Sequence, residues 1–297
     1  MYYYKLYGLR IASDLELCYV PELPEQEREL EPELIIEERA LPEGEAREPV
    51  CYSVIRKEKC ILANSYCFLY IEQGRRLYYE KKETATLTRL NGYILGWGIA
   101  MVFYQRGKTS IHCSCVSGDE GAVLISGNSG SGKSTITGEL LKRGYTLMVD
   151  DVAVVWAKEN GEIYASPAFP YRKVCRNELE RMGAAQDSAV YIDEDKDKFL
   201  VPYGGGFSTD SRPVHAMFLL KFGAQDEVSI TEAVGAEKFT LCMEAVFLAP
   251  LLGKQLYEPE IGVRMLDFAS KVPVYVITRP VNKDTRDEVV KKLMSVL

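Results

Sequence analysis

The chain has 297 residues, of which 47% are hydrophobic and 27% are charged, and its 43 acidic and 36 basic residues give a net charge of −7. This length and apolar content predict two globular domains, each with its own buried core. Because the chain has no excess of positive charge to match a phosphate backbone, we expect no nucleic-acid partner.

Three features predict the compartment. The longest apolar run, Gly92–Tyr104, is shorter than the roughly 20 residues that a membrane-spanning helix needs. The N-terminal residues, MYYYKLYGLR, do not have the charged and apolar regions of a secretory signal. The eight cysteines form no C-x-x-C pair and the chain has two histidines, which favours free thiols over a zinc site. We therefore expect a cytoplasmic protein with no membrane segment.

The segment Pro21–Glu48 is strongly acidic, with eleven Glu and three Arg. Several prolines interrupt it, including Pro42 and Pro49 at its end, which predicts an extended connection around one short strand at Leu34–Ile36. Two interpretations remain open. The segment is either a solvated connection or a surface that attracts a basic peptide substrate.

Short runs of β-branched and aromatic residues then predict a β-rich N-terminal domain. The predicted strands are Tyr52–Ile55, Cys67–Ile71 and Arg76–Tyr79, with a turn at Gln73–Gly74. Apolar residues at spacings of three and four predict a helix over Thr84–Tyr104. We place the domain boundary near residue 95, which gives a small domain at 1–95 and a larger one at 96–297.

A glycine-rich loop carries the clearest chemical signal. The predicted strand Val123–Ser126 leads into GNSGSGKST, and a predicted helix, Ile136–Arg143, follows and ends at Gly144. The loop fits G-x-x-x-x-G-K-[ST], in which backbone N–H groups surround phosphate oxygens, the lysine contacts the β- and γ-phosphates and the next hydroxyl binds Mg²⁺. The predicted nucleotide-binding residues are Gly127, Asn128, Ser129, Gly130, Ser131, Gly132, Lys133, Ser134 and Thr135.

Two adjacent carboxylates follow the next predicted strand. Tyr145–Val149 ends at Asp150 and Asp151, and another predicted strand, Val152–Trp156, begins at once. Lys133 and Asp151 are 18 residues apart in the sequence. This separation fits one β-α-β step, which would return the two aspartates to the phosphate site. One carboxylate would bind Mg²⁺ with Ser134, and the other would accept a proton from the attacking hydroxyl. Which does which stays open, as does a plain hairpin turn.

His112 precedes the loop on a predicted strand, Thr109–Val116. Taken alone, a single histidine is more often structural than catalytic. Downstream basic residues are candidates to neutralise a transferring phosphate. They are Arg172, Lys173, Lys196, Lys198 and Arg279, of which we favour Arg172 and Lys198 because both lie where a loop meets a strand.

The segments HCSCV at 112–116, GNSGSGKST at 127–135 and LKRGYTLMVDD at 141–151 together resemble the catalytic domain of HPr kinase/phosphorylase. A related subgroup, which includes lasso peptide kinases, is similar at YGLRIAS (7–13) and at the dipeptide Ile111-His112. Phosphoenolpyruvate carboxykinase is a more distant relative. The resemblance implies that His112 pairs with the two aspartates as a catalytic residue, together with Lys133.

Two departures limit what the resemblance implies. Thr135 stands where the family commonly has glutamate after the loop serine, and no Arg-Gly-Leu-Gly-Ile signature follows the aspartates. The resemblance therefore gives no support for the reverse phosphorolysis or for a role in sugar transport through HPr.

The expected fold is α/β, a small β-rich N-terminal domain with an HPr-kinase-like P-loop domain and helices near 177–183, 236–249 and 284–296. The expected enzyme is a kinase that uses ATP and Mg²⁺ to phosphorylate a Ser/Thr hydroxyl of a peptide or protein, and the sequence leaves its oligomeric state open. Two alternatives stay open. These are a small-molecule kinase and a non-catalytic module that senses ATP.

Overall fold

The computed structural model describes residues 1–40, 52–182, 189–193, 197–252, 259–281 and 283–297. The chain divides into two compact units, Met1–Ser110 with Phe247–Ile261, and Ile111–Val246 with Gly262–Leu297. The first division falls after Ser110, which is later than residue 95. The helical run that follows residue 86 packs on strands of the first unit, and this contact explains the later division.

The first unit contains one seven-stranded sheet. Its strands are β1 (Tyr2–Leu6), β2 (Leu9–Ser13), β3 (Leu34–Glu38), β4 (Tyr52–Ile55), β5 (Cys60–Ala63), β6 (Cys67–Glu72) and β7 (Arg76–Lys81). Their order is β1-β2-β3-β7-β6-β5-β4, and β3 is parallel to both of its neighbours. The predicted strands at β3, β4, β6 and β7 are confirmed, and so is the turn, where Gln73 and Gly74 have φ of 52° and 62°.

The predicted helix after residue 84 forms as α1 (Leu87–Tyr93), a π-helical turn (Ile94–Gly98) and α2 (Ile99–Gln105). Thr86 caps the start of α1, where its side chain accepts a hydrogen bond from the backbone N–H of Arg89. A Cβ on Gly98 would lie 2.7 Å from Leu77 Cδ1, so this glycine lets the helix approach β7 closely.

The acidic segment is partly neutralised within the first unit, although residues 41–51, with Pro42, Pro49 and Cys51, lie outside the described residues. Ion pairs join Glu22 to Arg28, Glu33 to Arg10 and Glu37 to Arg76 at 2.9, 3.4 and 3.3 Å. These contacts favour the solvated connection and leave the substrate-attracting surface untested.

The second unit is built on an eight-stranded sheet with a separate three-stranded sheet. The strands of the larger sheet are β8 (Thr109–Gly118), β9 (Gly121–Gly127), β10 (Thr146–Val149), β11 (Val152–Ala157), β12 (Ile163–Ser166), β16 (Arg212–Gly223), β17 (Ser229–Glu232) and β18 (Val274–Pro280). Those of the smaller sheet are β13 (Tyr171–Cys175), β14 (Val190–Asp193) and β15 (Lys198–Pro202).

Strand direction brings several strand ends to one edge of the larger sheet. Strands β9, β16 and β18 are parallel neighbours, so their carboxyl ends lie together. Strand β8 is antiparallel to both β9 and β10, and it therefore starts at the edge where they end. The strands predicted at β8, β9, β10 and β11 are confirmed.

The remaining helices are α3 (Lys133–Lys142), α4 (Arg176–Met182), α5 (Gly235–Glu244), α6 (Pro259–Lys271) and α7 (Arg286–Met294), with 3₁₀ turns at Glu25–Glu27 and Ala249–Leu251. Helices predicted near 177–183, 236–249 and 284–296 are confirmed as α4, α5 and α7, although residue 183 lies outside the described residues. Helix α6 was not predicted, although Ile261, Met265 and Phe268 are buried at helical spacing.

A buried cluster fixes the sheet edge that carries the glycine-rich loop. Ile125 of β9, Phe218 of β16 and Ile277 of β18 pack with Leu140 of α3 and Leu293 of α7. Each such side chain contributes about 1.5–3 kcal/mol when fully buried, so α3 is held firmly over β9. No helix in the described part of the chain combines the length and the apolar character needed to cross a membrane.

Candidate active site

The glycine-rich loop joins β9 to α3, as the sequence predicts. Gly127, Gly130 and Gly132 have φ of 142°, 81° and 100°, which side chains on L-residues rarely tolerate. At Gly127 a Cβ would also lie 2.6 Å from the backbone oxygen of Leu220. The first turn of α3 leaves N–H groups without intrahelical partners at the loop, where they can bind an anion.

Lys133 lies inside this loop. Its ammonium group donates hydrogen bonds to the backbone oxygens of Gly127 at 2.6 Å and Asn128 at 3.2 Å. Burial lowers the pKa of Lys133, and the nearby charge of Lys198 lowers it further, while Asp151 and Asp150 oppose the shift. A phosphate would therefore find a desolvated cation already directed into the loop.

The two aspartates reach the same edge by a route that differs from the predicted single β-α-β step. Strand β8 lies between β9 and β10, so the strands on either side of α3 are not neighbours. The pair is also not a hairpin turn, since the neighbours of β11 in the sheet are β8 and β12. Asp151 has φ of 85°, a left-handed conformation that is uncommon outside glycine and that functional sites often retain.

Asp150 is held by two fixed donors. Ser114 on β8 donates its hydroxyl to Oδ1, and the backbone N–H of Lys173 donates to Oδ2 at 2.7 Å. Burial raises the pKa of Asp150, and these donors and the charge of Arg172 only partly offset that effect. The pKa of Asp150 is thus raised toward neutral pH.

Asp151 lies beside the ammonium of Lys173 and the imidazole of His112. Its Oδ2 is 3.1 Å from the ammonium of Lys173, and its Oδ1 is 3.7 Å from Nε2 of His112. Burial would raise the pKa of Asp151, but Lys173 and the other neighbouring positive groups hold it well below its ordinary value. The two adjacent carboxyls therefore have pKa values shifted in opposite directions, which is typical of sites that assign them different roles.

His112 reaches this group from the first half of β8. Its backbone N–H donates to Ala245 O at 2.8 Å, and its backbone oxygen accepts from the Ser126 hydroxyl at 2.8 Å. Burial lowers the pKa of His112 to about 4, against the opposing effect of Asp151. The imidazole is therefore neutral near pH 7.

Lys173 contacts all three residues that the sequence assigns to a metal. Its ammonium bonds Asp151, its N–H bonds Asp150, and its backbone oxygen accepts a hydrogen bond from the Ser134 hydroxyl at 3.2 Å. The side chain of Arg172 points away from that of Lys173, because consecutive side chains on β13 point to opposite faces. Of the two adjacent basic residues on β13, Lys173 is therefore the one directed at the aspartates.

Arg172 is buried, with 4% of the residue exposed. Its guanidinium donates to the backbone oxygen of Ser134 at 2.5 Å and lies 3.9 Å from Glu178, whose carboxylate also accepts from the Thr135 hydroxyl. These contacts join α4 to the start of α3. The guanidinium of Arg172 contacts the Ser134 backbone oxygen and the Glu178 carboxylate. Its phosphate-binding role stays a prediction.

Of the other predicted residues, some lie in or near the site and one lies outside the described residues. Lys198 starts β15, and its charge acts on His112, Lys133 and Asp151, so it lies near the site. Asn128, Ser129 and Ser131 lie in the loop, where Ser131 is 3% exposed. Lys196 lies outside the described residues. Ser114 had no sequence signal beyond its place on β8.

Comparisons with known proteins agree with the sequence resemblance. The HPr kinase/phosphorylase of Streptococcus thermophilus is 32% identical over 121 residues, which are 41% of this chain and 35% of that protein. The HPr kinase/phosphorylase of Streptococcus equi subsp. zooepidemicus is 33% identical over 154 residues, 52% of this chain and 43% of that protein. Over these residues the chain is similar to HPr kinase/phosphorylase.

The chain spans less than half of the length of the curated relatives that it matches. No family model matches it. The solved structure of the Hpr(Ser) kinase/phosphatase from Coxiella burnetii is 14% identical and is covered for 89% of its length by 63% of this chain, with a TM-score of 0.33.

The donor chemistry around Lys173 fits the predicted Mg²⁺. Ser134, Asp150 and Asp151 offer one hydroxyl and two carboxylates, all hard oxygen ligands of the kind Mg²⁺ takes together with phosphate oxygens and water. Among the described residues no group of three or more His, Cys, Asp and Glu side chains is arranged to hold a metal.

Proposed function

We propose that the second unit is a kinase that transfers the γ-phosphoryl group of ATP, with Mg²⁺, to a Ser/Thr hydroxyl of a peptide or protein. The observation that carries this proposal is the convergence of the glycine-rich loop, Lys133 and the two aspartates at one sheet edge. The relatives are named for action on HPr, which favours a protein or peptide acceptor. The resemblance to lasso peptide kinases favours a peptide.

The phosphates of ATP would lie on the loop. Its N–H groups and the ammonium of Lys133 bind phosphate oxygens, and Lys133 exchanges its present bonds to Gly127 and Asn128 for these. Mg²⁺, when bound, would neutralise charge on the β- and γ-phosphates. Ser134 and Asp151 would hold it, since Asp151 stays ionised and already binds the cationic group of Lys173.

Asp150 is the proposed proton acceptor. The acceptor hydroxyl oxygen attacks the γ-phosphorus, the bond from that phosphorus to the bridging oxygen breaks and leaves ADP, and the hydroxyl proton passes to Asp150. A raised pKa suits this role because proton transfer is most effective when the pKa of the base is near the working pH. Neutral His112, beside Asp151, orients the pair.

The cytoplasm is the proposed compartment. An ATP-dependent reaction needs the cytoplasmic nucleotide pool, and all seven cysteines among the described residues are free thiols. Fractionation of the source cells, with the protein detected by antibody, tests this assignment.

The deciding experiment measures label transfer from γ-labelled ATP with Mg²⁺ into two fractions of an extract of the source cells. One fraction holds proteins and peptides and the other holds small molecules. We compare wild type with Lys133→Ala, and Lys142→Ala serves as the matched control because Lys142 is an exposed lysine on the same helix, paired with Glu139.

Label in a peptide or protein with wild type and Lys142→Ala, but not with Lys133→Ala, supports the proposal and identifies the acceptor by mass. Label confined to the small molecules contradicts a peptide acceptor and indicates a small-molecule kinase. Binding of ATP without transfer into either fraction indicates a nucleotide-sensing module.

A further inference from the structure

Arg279 lies against the glycine-rich loop although it is far from it in sequence. It stands near the carboxyl end of β18, the parallel strand beside β16, and β16 in turn pairs with β9. A Cβ on Gly132 would lie 2.8 Å from Nη2 and 3.2 Å from Cζ of Arg279. The guanidinium therefore covers the loop at the residue immediately before Lys133.

An aromatic ring fixes the other side of this group. The Cζ atom of Arg279 lies 4.6 Å from the centre of the Phe222 ring, and Phe222 is paired with Arg279 in the register of β16 and β18. Contact between a guanidinium and an aromatic face is favourable. The guanidinium of Arg279 thus lies between the Phe222 ring and Gly132.

The charge of this guanidinium is poorly compensated. Its Nε is buried and has no hydrogen-bond partner among the described residues, and within the same part of the chain no carboxylate lies within ion-pair distance. Burial lowers the pKa of Arg279, and the more distant Asp284 only partly offsets this. A desolvated guanidinium without an anion is costly, and a bound anion would remove that cost.

We propose that Arg279 binds the phosphate chain of the nucleotide together with the loop. This inference rests on the proposed function, since it adds a residue to that same site. Gly132 and Lys133 belong to the half of the loop that contacts the β- and γ-phosphates, so these are the phosphates within reach. A guanidinium supplies paired N–H donors that match phosphate oxygens.

The test measures binding by calorimetry on the full chain, with ATP, inorganic tripolyphosphate and adenosine as separate probes. Arg279→Gln removes the charge, and Phe222→Ala leaves the charge but removes the ring that positions it. Arg143→Gln is the matched control, because Arg143 is an arginine of the same unit paired with Glu139 away from the loop. Thermal unfolding of each variant identifies any that fails to fold.

Arg279→Gln is expected to weaken ATP and tripolyphosphate binding by about tenfold or more and to leave adenosine binding unchanged. Phe222→Ala is expected to weaken both phosphate probes by a smaller factor. If a folded Arg279→Gln binds both phosphate probes as wild type does, the inference is overturned. A loss confined to adenosine also overturns it, because it would place the nucleobase at Arg279.

The tripolyphosphate measurement separates this inference from the proposed function. If wild type binds tripolyphosphate but not ATP, the proposed kinase fails, and Arg279→Gln still tests the anion site. If wild type binds neither probe, both proposals are overturned. If ATP binds with an unchanged affinity in Arg279→Gln, only the inference about Arg279 is overturned.

Discussion

The ammonium group of Lys173 lies 3.1 Å from Oδ2 of Asp151. Both side chains are only about one quarter exposed, at 27% and 22%, so water screens this pair less than a surface ion pair. Lys173 therefore compensates the charge of this partly buried carboxylate.

Removal of this ammonium is expected to destabilise the protein. Lys173→Met keeps most of the length of the side chain but leaves Asp151 without its nearest cation. We expect the free energy of unfolding at pH 7 to fall by about 1–2 kcal/mol. Urea unfolding measures the change. Lys173→Arg keeps the charge and is the control. Equal stability of Lys173→Met and wild type would show that the pair contributes nothing net.

His112 is expected to make stability depend on pH. Burial lowers the pKa of His112 to about 4 in the folded chain, against about 6.5 when unfolded. The unfolded chain therefore takes up the proton first as the pH falls. The stability that His112 contributes is complete above about pH 6.5 and is lost progressively toward pH 4.

His112→Gln removes this titration but keeps a polar side chain of similar reach. We expect the difference in unfolding free energy between wild type and His112→Gln to change in favour of the variant between pH 7 and pH 5. Urea unfolding at both values measures it. The aspartates titrate in both proteins, so a difference that does not change with pH would contradict the neutral, buried imidazole.

Local signals predict the central segments of the candidate site, because these segments are contiguous in sequence. The glycine pattern indicates the loop, and its flanking apolar runs predict β9 and α3, which the structure confirms. The two aspartates stand out because a predicted strand ends in carboxylates. Each inference needs only neighbouring residues.

What sequence reasoning missed depends on pairing between distant strands. The insertion of β8 between β9 and β10 carries Ser114 to Asp150, and no local pattern indicates this order. The choice between Arg172 and Lys173 depends on which face of β13 meets the aspartates. The sequence names Arg279 as one of five basic candidates, but its place at the loop follows from the parallel pairing of β16 with both β9 and β18.

Substitutions of the two aspartates are expected to change the phosphate-transfer reaction in different ways. Asp150→Asn keeps the shape of the side chain, and its amide can still bond Ser114 and the N–H of Lys173, but it cannot accept a proton. We expect its turnover to fall by about 100-fold or more with ATP affinity nearly unchanged. Asp151→Asn should instead raise the Mg²⁺ concentration needed for half-maximal rate.

Initial rates of phosphate transfer across a Mg²⁺ titration separate the two effects, and calorimetry gives the ATP affinity of each variant. The reverse pattern, in which Asp150→Asn changes the Mg²⁺ requirement and Asp151→Asn changes only turnover, would exchange the two roles. Thermal unfolding of both variants checks that each remains folded.

The loop glycines differ in how much they tolerate a side chain. Gly127 has φ of 142°, and a Cβ there would lie 2.6 Å from Leu220 O and 2.7 Å from Ser131 Oγ. Gly130 has φ of 81°, but a Cβ there would have no neighbour within 4 Å, so alanine meets only backbone strain. We expect Gly127→Ala to lower the free energy of unfolding by about 3 kcal/mol or more, and Gly130→Ala by about 1–2 kcal/mol.

Urea unfolding of the two alanine variants measures this difference directly, since both carry the same substitution in the same loop. Because β16 supplies the backbone oxygen that Gly127→Ala would contact, the larger loss reports the close approach of β9 to β16. Equal losses in the two variants would mean that strain alone limits the loop, and that this approach is looser than 2.6 Å implies.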